Sequence, residues 1–592
     1  MKTLSWLSAS FALCATCESL AFDFLVAGGG TAGLVIANRL SEDPSVTVAV
    51  IEPGDDVRND PLVLDVDLAG VTFSPSLNWN YNSTVQPQLG GRVLTHSAGK
   101  AIGGTTVING MYYIRGDKAN IDAWGELGNS GWNWDTLFPY FIRSEKFAIP
   151  TSAQRGAGIT YKPQDHGENG YLKTGHPYQV QNGSFHTSAQ EACGSFGFPL
   201  NQDLNGGTTR GFGAYPQTLD RNANVRESSA RAYYEPIDKR PNLRILKGTV
   251  KRITFKSGTT GNKLVASGFE YTDHQGKLAS VTAKREVILS TGTLVSPLIL
   301  EASGIGNPRV LAKNGIKTKI ALPGTGEGFQ EQPLWVLMFQ SSANLSGHVP
   351  FATFATAKDI LGADTGSIAA NTRQQLPSWA KAVSKRLSGD LSADVLKRRF
   401  QVQHDVIFKK SASVTEFEFF SLGTVIGSVF STTLPFSWGS VHLDPSSGNV
   451  NNPAIDPNFL SLDLDMQISM SAGRLARKLW STQSLDKYTA AFLVPGDSVL
   501  PENATNAQWT EYLTSSCVSA FHGVGTCAML PRELGGVVDP TLKVYGTTNI
   551  RVVDASIIPN LMSGHPSSVV YAVAEKAAVI IKGALAAANS FS

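Results

Sequence analysis

The sequence predicts an α/β fold. A Rossmann-like nucleotide-binding domain is interleaved with an α+β domain, an antiparallel sheet flanked by helices. A strand–glycine turn–helix–strand unit lies at 22–52, further glycine-rich blocks follow at 99–110 and 292–306, and 57 of the 592 residues are glycine. An average chain has about 7% glycine, so the surplus indicates tight turns and close backbone approaches.

The N-terminal unit has the order and spacing of a dinucleotide-binding fold. It consists of an apolar strand at 22–27, a helix at 34–40 with apolar residues at helical spacing, and a second strand at 46–51. Between the first strand and the helix lies a turn that matches G-x-G-x-x-G, namely Gly28-Gly29-Gly30-Thr31-Ala32-Gly33.

Each part of the turn has a physical role. Gly28 permits the tight turn, Gly30 lets the backbone approach a pyrophosphate, and Gly33 lets the helix pack closely on the strand. The helix N-terminus offers unpaired N–H groups and the positive end of the helix dipole to phosphates. Thr31 and Ala32, in the turn before it, are predicted cofactor-binding residues.

Glu52 ends the second strand, 19 residues after Gly33. An acid at this place accepts hydrogen bonds from a ribose diol and disfavours a 2′-phosphate. The unit therefore predicts FAD or NAD rather than NADP, and the residues alone leave the choice between those two open.

Several longer motifs resemble the signatures of the glucose–methanol–choline (GMC) flavoprotein oxidoreductases. They occur in the family's order from end to end: GKAIGGTTVIN at 99–109, RESSA at 226–230, GTLVSPLILEASGIG at 292–306 and FHGVGT at 521–526. The chain looks most like the fungal glucose oxidase and glucose dehydrogenase branch of that family. A member of this branch that serves secondary metabolism is one possibility.

The resemblance implies FAD as the cofactor. In the family the backbone around Gly104 and Thr105 lies along the flavin, and Asn109-Gly110 approaches its ring. Some relatives carry a flavin-linking His at the position of Asn109. Because an amide cannot form that bond, we predict that FAD is bound non-covalently.

Two further FAD contacts are implied by the resemblance. Val250 matches the position whose backbone reads the adenine, with an ordinary buried turn as the open alternative. Asp554-Ala555 match the C-terminal loop that returns to the pyrophosphate and the ribityl chain.

The family places two histidines side by side facing the flavin, and here they match His522 and His565. Alcohol oxidation requires loss of the hydroxyl proton together with a hydride from the same carbon. An imidazole with a pKa near neutrality suits the first task. We assign His522 as the general base and His565 as the hydrogen-bonding partner of the same oxygen. The sequence contains no motif with the spacing of metal ligands, so we predict no metal site.

The substrate side departs from the sugar-oxidising relatives. Val518 and Ala520 replace an Arg and an Asn that bind sugar hydroxyls. Losing two such donors weakens glucose binding roughly several hundredfold, so we expect a more apolar or aromatic alcohol, with Phe521 in the pocket. Trp438 replaces a common Arg and is a further pocket candidate, the alternative being a packed structural aromatic. Gln332 stands where relatives often have His.

Fold and cofactor do not by themselves prove oxidation. Patulin synthase, in this branch, oxidises an alcohol, whereas versicolorin B synthase closes a ring without net redox. The leading hypothesis is therefore an FAD-dependent oxidase or dehydrogenase of a primary or secondary alcohol. A non-redox cyclase or lyase is the alternative, and a silent binding protein ranks last.

The motifs divide the chain into interleaved domains. The FAD-binding domain is predicted at 22–60, 90–125, 225–320 and 520–592, and the substrate domain at 130–225 and 320–520. Within the latter, strands are expected at 406–420 and 425–434 and a helix at 378–400, broken near Gly389. A C-terminal helix at 569–588 is apolar but carries charges, so we expect it to pack rather than to enter a membrane.

The N-terminus predicts export. Residues 1–19 read as a signal peptide, and the sequons at Asn82, Asn182, Asn344 and Asn503 agree with secretion to the medium, cell wall or vacuole. Cys193, Cys517 and Cys527 allow one disulfide or none. With 50 basic and 48 acidic residues, nothing predicts nucleic acid as a partner. We expect an alcohol, oxygen or another electron acceptor as partners, and a monomer or homodimer.

Overall fold

The computed structural model describes residues 20–68, 74–181, 184–261, 263–387 and 389–589. The predicted signal peptide at 1–19 and the sequon at Asn182 lie outside the described residues. The other three sequon asparagines, at positions 82, 344 and 503, are all exposed.

The first sheet is mainly parallel and holds the glycine turn. Its five parallel strands are, in spatial order, Leu243–Thr260, Val48–Glu52, Ala21–Ala27, Leu278–Leu289 and Ile550–Val552. The strand Lys263–Asp273 joins the two long ones in antiparallel register. The central strand is buried along almost its whole length, as expected for a parallel strand covered on both faces.

Helices cover this sheet. The first helix, Thr31–Leu40, begins directly after the glycine turn, and its apolar residues are buried. The C-terminal helix, Pro566–Asn589, packs against it and against Trp134–Ser144. Glu575 in that helix is buried and forms an ion pair with Arg39 at 2.7 Å. No described helix has the length and apolar composition needed to cross a bilayer.

The second sheet is antiparallel. Its strands are, in spatial order, Thr489–Val494, Pro333–Leu345, Gly423–Thr432, Ser413–Ser421, Phe351–Thr356 and Gly211–Ala214. A short strand, Val518–Ser519, pairs with the start of Pro333–Leu345. The helix Asp463–Trp480 packs on this sheet. The mixed α/β architecture, built on two large sheets, is thus confirmed, while the exact domain boundaries stay a prediction.

The remaining longer helices lie, for the most part, in stretches of the chain that contribute no strand to the first sheet. They are Lys118–Glu126, Phe185–Ser195, Ser296–Ala302, Thr365–Arg386, Ala393–Phe408 and Asn506–Ser516.

Two expectations about the middle of the chain can be compared directly with the structure. The break near Gly389 is present, since helices Thr365–Arg386 and Ala393–Phe408 flank it and Gly389 has φ +82°. The strand expected from 406 begins only at Ser413, because Val406 and Ile407 continue the buried face of the preceding helix. A β-branched run at the end of an amphipathic helix misled the sequence-based assignment.

The three cysteines beyond the N-terminal segment are all buried and free. Of the two possibilities left by the sequence, the structure therefore shows the one without a disulfide among them.

Candidate active site

A cavity of about 670 Å³ lies between the carboxyl ends of the parallel strands and the second sheet. Its volume falls in the range of about 300–1,000 Å³ typical of ligand pockets. One end is lined by the glycine turn and the other by His522, His565 and residues of the second sheet.

The cavity brings together nearly all of the predicted cofactor-binding residues. Those that line it are Gly28, Gly30, Thr31, Ala32, Glu52, Gly104, Thr105, Asn109, Gly110, Val250, Asp554 and Ala555. Gly33 lies behind the turn: a Cβ there would sit 2.0 Å from the Gly28 carbonyl oxygen. This contact fits the packing role expected of Gly33. The individual contacts with a cofactor stay predictions.

Two glycine segments touch at the cavity wall and form a flat backbone cradle. A Cβ on Gly104, which has φ +54°, would lie 2.7 Å from the Cα of Gly30. Gly28 also has a positive φ, of +94°, and a Cβ there would lie 2.5 Å from the Ser290 carbonyl oxygen. Only glycine fits at such places, and a surface without side chains suits a dinucleotide that lies along it.

Glu52 is tied to the cradle. Its carboxylate oxygens accept hydrogen bonds from the backbone N–H groups of Gly29 and Gly54, both at 2.8 Å. Burial raises the pKa of Glu52 to about 7. The carboxyl group thus fixes the turn while still lining the cavity, where the expected ribose would lie.

Asn109 is held by a buried arginine. The Arg226 guanidinium donates to its side-chain oxygen and to its backbone oxygen, both at 2.7 Å. The sequence resemblance singled out both residues, but it did not predict that they contact each other. This contact orients the amide toward its own scaffold rather than leaving it free in the cavity.

His522 and His565 form a close pair. Their ring centroids are 4.6 Å apart with the rings nearly perpendicular, and both rings line the cavity. His522 follows the short strand Val518–Ser519, and its backbone N–H donates to Glu331 at 2.7 Å. His565 immediately precedes Pro566, the first residue of the C-terminal helix, and its backbone N–H donates to Ile114. Segments remote in sequence therefore meet at one end of the cavity.

Gln332 selects the tautomer of His522. The Gln332 amide nitrogen donates to the backbone oxygens of Thr433 and Met562, at 3.1 and 3.0 Å. Its side-chain oxygen must therefore be the atom that lies 2.6 Å from His522 Nδ1, and an oxygen can only accept. Nδ1 accordingly carries the hydrogen, and Nε2 is left with its lone pair.

His565 is surrounded by acids. Its Nε2 lies 3.1 Å from Glu416 and 3.7 Å from Glu418, and its ring stacks on Tyr112 at 4.9 Å. Although burial disfavours the charged ring, Glu416 and then Glu418 outweigh it and raise the pKa of His565. Burial and the neighbouring His565 lower the pKa of His522 well below its usual value.

The pKa values of the two histidines are therefore shifted in opposite directions. These shifts favour a neutral His522, which can accept a proton at Nε2, and a charged His565, which can donate a hydrogen bond. Opposite shifts of two like groups are a recurring sign of acid and base roles. This arrangement can remove a proton from a hydroxyl and hold the resulting oxygen.

Sequence reasoning missed Glu416 and Glu418. Both belong to the strand Ser413–Ser421, where charged residues alternate with apolar ones that are buried. That alternation was a usable signal. Possible ligand atoms of these two residues and His565 lie within 4.8 Å of one another, a spacing that could also hold a metal ion. The expectation that the chain has no metal site stays a prediction.

The predicted pocket residues divide into two groups. Val518, Ala520 and Phe521 line the cavity beside His522. Trp438 does not line it and is only 2% exposed. The Trp438 ring packs against Phe400 at 4.6 Å, and the Arg399 guanidinium lies 4.4 Å from its centre. For Trp438 the alternative of a packed structural aromatic is therefore correct.

Comparisons with known proteins identify the family of the chain. GMC oxidoreductase family models match residues 22–334 and 435–574. The "Glucose oxidase-like protein fsoC" of Humicola fuscoatra is 46% identical over 569 residues, which cover 95% of this chain and 96% of that one. The glucose oxidase of Penicillium chrysogenum is 35% identical over 564 residues, or 94% and 91% of the two chains.

Solved structures agree with the sequence relatives. A fungal aryl-alcohol oxidase superposes with a TM-score of 0.82 at 28% identity, covering 95% of this chain and 98% of that chain. An FAD-dependent oxidoreductase from Chaetomium thermophilum has the same TM-score and identity, and covers 95% and 99% of the two chains.

Proposed function

The chain belongs to the GMC oxidoreductase family, and from that premise we propose that it is an FAD-dependent enzyme that oxidises a primary or secondary alcohol. The observation that supports this most directly is the pair of imidazoles 4.6 Å apart, with pKa values shifted in opposite directions, at the end of a dinucleotide-sized cavity.

FAD would be held by the glycine cradle, with the helix N-terminus at Thr31 facing its phosphates and Asn109-Gly110 near its ring. Bound FAD would supply the acceptor for the hydride that leaves the carbinol carbon. Asn109 offers no nucleophile for a covalent link, so the cofactor is proposed to dissociate under denaturing conditions.

The protein's own groups handle the hydroxyl proton. His522 Nε2 has a free lone pair and takes the proton from the substrate hydroxyl. His565, charged and anchored by Glu416, donates a hydrogen bond to the same oxygen and stabilises the negative charge that develops there. Gln332 keeps His522 in the tautomer that this task requires.

The substrate is proposed to be an alcohol other than glucose, with a more apolar or aromatic body. Val518 and Ala520 occupy the wall beside His522 and offer no side-chain donors to a sugar ring. Phe521 adds an exposed aromatic face to the same wall. The structural likeness to an aryl-alcohol oxidase supports this reading, although the relatives named glucose oxidase share more of the sequence.

We also propose that the protein is exported. The three described sequon asparagines, at positions 82, 344 and 503, are exposed and open to glycosylation. Mass measurement of the protein from its native source would test both the cleavage near residue 19 and the attached glycans.

The decisive experiment is anaerobic mixing of the FAD-loaded protein with a panel of aryl and aliphatic alcohols. Bleaching of the flavin band should follow first-order kinetics, and His522→Ala should slow it about 10²–10⁴-fold while FAD stays bound. His186→Ala, a half-buried histidine that does not line the cavity, is the matched control and should bleach like the parent.

Two results would overturn the proposal. Bleaching by His522→Ala at the parent rate would remove His522 as the base. Turnover with the flavin oxidised throughout would favour the non-redox cyclase or lyase instead.

A further inference from the structure

Glu418 is a second carboxyl group on the cavity wall. It follows Glu416 by two residues in the strand Ser413–Ser421, so both side chains project from the same face of the sheet. The alternate residues Phe417 and Phe419 are buried in the core on the other face. Both carboxyl groups line the cavity.

The wall around Glu418 has more acid than base. Among the described residues that line the cavity there is no lysine and no arginine. The basic group next to the two carboxyl groups is His565, whose Nε2 lies 3.1 Å from Glu416 and 3.7 Å from Glu418. A single ring nitrogen serves both acids, and the shorter contact assigns it to Glu416.

The protonation of Glu418 reflects this imbalance. Burial and the charge of Glu416 raise the pKa of Glu418 to about 7, against the opposing effects of His565 and a hydrogen bond with Tyr112. A carboxylate has about four lone-pair sites, and buried acceptor capacity without a partner costs free energy. Once ionised, above about pH 7, Glu418 is an acceptor with capacity left for a donor that enters the cavity.

We propose that Glu418 is a specificity-determining residue that accepts a hydrogen bond from a second donor group on the substrate, a hydroxyl or an ammonium, carried next to the carbon being oxidised. The proposal rests on the proposed function, because His522 and His565 place the reacting hydroxyl beside Glu418. The preferred substrate then has an apolar body that contacts Val518 and Phe521 and a diol or amino-alcohol end that contacts the acid. Carboxylate-bearing alcohols are disfavoured by the same group.

Binding can be measured without oxidation. Pinacol and 2,3-dimethylbutan-2-ol are tertiary alcohols that differ in one hydroxyl, and neither has a carbinol hydrogen to transfer. Calorimetric titration of the FAD-loaded parent above pH 7, where the Glu418 carboxyl group is ionised, should show pinacol binding about tenfold or more tighter, the value of a hydrogen bond to a charged acceptor. Substituting 3-amino-2,3-dimethylbutan-2-ol distinguishes an ammonium from a hydroxyl as the preferred donor.

Two variants locate the effect. Glu418→Leu removes the acceptor and should reduce the preference for pinacol to within about twofold. Glu418→Gln keeps hydrogen-bonding capacity but not charge, so it should retain a preference for the diol and lose one for the ammonium. Glu327→Gln is the matched control, since Glu327 is also a buried acid beside a histidine, His442 at 3.1 Å, but does not line the cavity. It should leave the preference unchanged.

Equal affinity of the parent for pinacol and the monoalcohol, no measurable binding of pinacol, or a preference that survives Glu418→Leu would each overturn the proposal. These outcomes are independent of the flavin-bleaching test. A parent that bleaches with alcohols but shows no diol preference refutes the role of Glu418 alone. A parent that prefers the diol but never bleaches refutes alcohol oxidation alone.

Discussion

Gln332→Glu is the most informative single change in the site. The substitution keeps the oxygen that accepts from His522 Nδ1 at 2.6 Å, and it adds a negative charge at that distance. It also removes the amide donors to Thr433 and Met562. The parent base is neutral because its pKa lies well below the usual value, and the new carboxylate stabilises the imidazolium instead.

The size of the effect follows from the contact. An opposite charge within about 4–6 Å shifts a pKa by about 1–3 units, and this charge would be closer and buried. The base works only when neutral, so activity is lost as pH falls through the pKa of His522. Because the substitution raises that pKa, the acid limb of the rate profile should move upward by about 1–3 pH units.

The assay is the rate of anaerobic flavin reduction at saturating alcohol, measured from acid to alkaline pH. Gln330→Glu is the matched control: Gln330 is equally buried and donates to the Pro559 carbonyl at 3.0 Å, yet it does not contact His522. An acid limb of Gln332→Glu that coincides with that of the parent would refute the assignment of His522 as the base. A limb that moves equally in Gln330→Glu would show a general effect of charge and refute the specific contact.

Two further predictions test other parts of the cavity. Glu416→Gln removes the main group that raises the pKa of His565, so burial should prevail and the alkaline limb of the same profile should move to lower pH by about 1–3 units; an unmoved limb would remove His565⁺ from the reaction. Gly104→Ala would place a Cβ 2.7 Å from the Cα of Gly30 and should lower the ratio of flavin to protein absorbance in the purified protein. Gly91→Ala is the control: Gly91 also has a positive φ, of +79°, so the substitution causes a similar backbone strain of about 1–3 kcal/mol. Because the space around Gly91 is open, this variant should retain FAD. Equal flavin loss in both variants would contradict the role of the cradle.

The sequence predicted the nucleotide end of the cavity well because its requirements are local. A glycine turn between a strand and a helix needs only a few consecutive residues, and positions 28–33 form it as expected. Val518 and Ala520 line the cavity, as their spacing to His522 led us to expect, and their contact with a substrate stays a prediction.

The groups that set the chemistry could not be predicted in the same way. Glu416 and Glu418 reach His565 from one strand and Tyr112 reaches it from another segment, and only the three-dimensional fold brings them together. Trp438 shows the converse error: a change of residue type at a family position suggested a pocket role, whereas the ring packs in the core beside Arg399. A family resemblance locates a position along the chain. It does not determine whether the side chain at that position faces the cavity or packs in the core.

The choice of an amide at position 332 has a consequence for the pH dependence. A histidine there, as in many relatives, would titrate near the same pH as the base, and the two titrations would be coupled. Its two tautomers would also allow His522 to adopt either of its own. Gln332 cannot titrate, and its nitrogen is committed to two backbone carbonyls, so its oxygen faces His522 at every pH at which the fold persists. The acid limb of the rate profile should therefore follow a single proton with a slope of one. A steeper limb would mean that a second group titrates together with the base; Glu331, which accepts from the His522 backbone N–H, is the candidate.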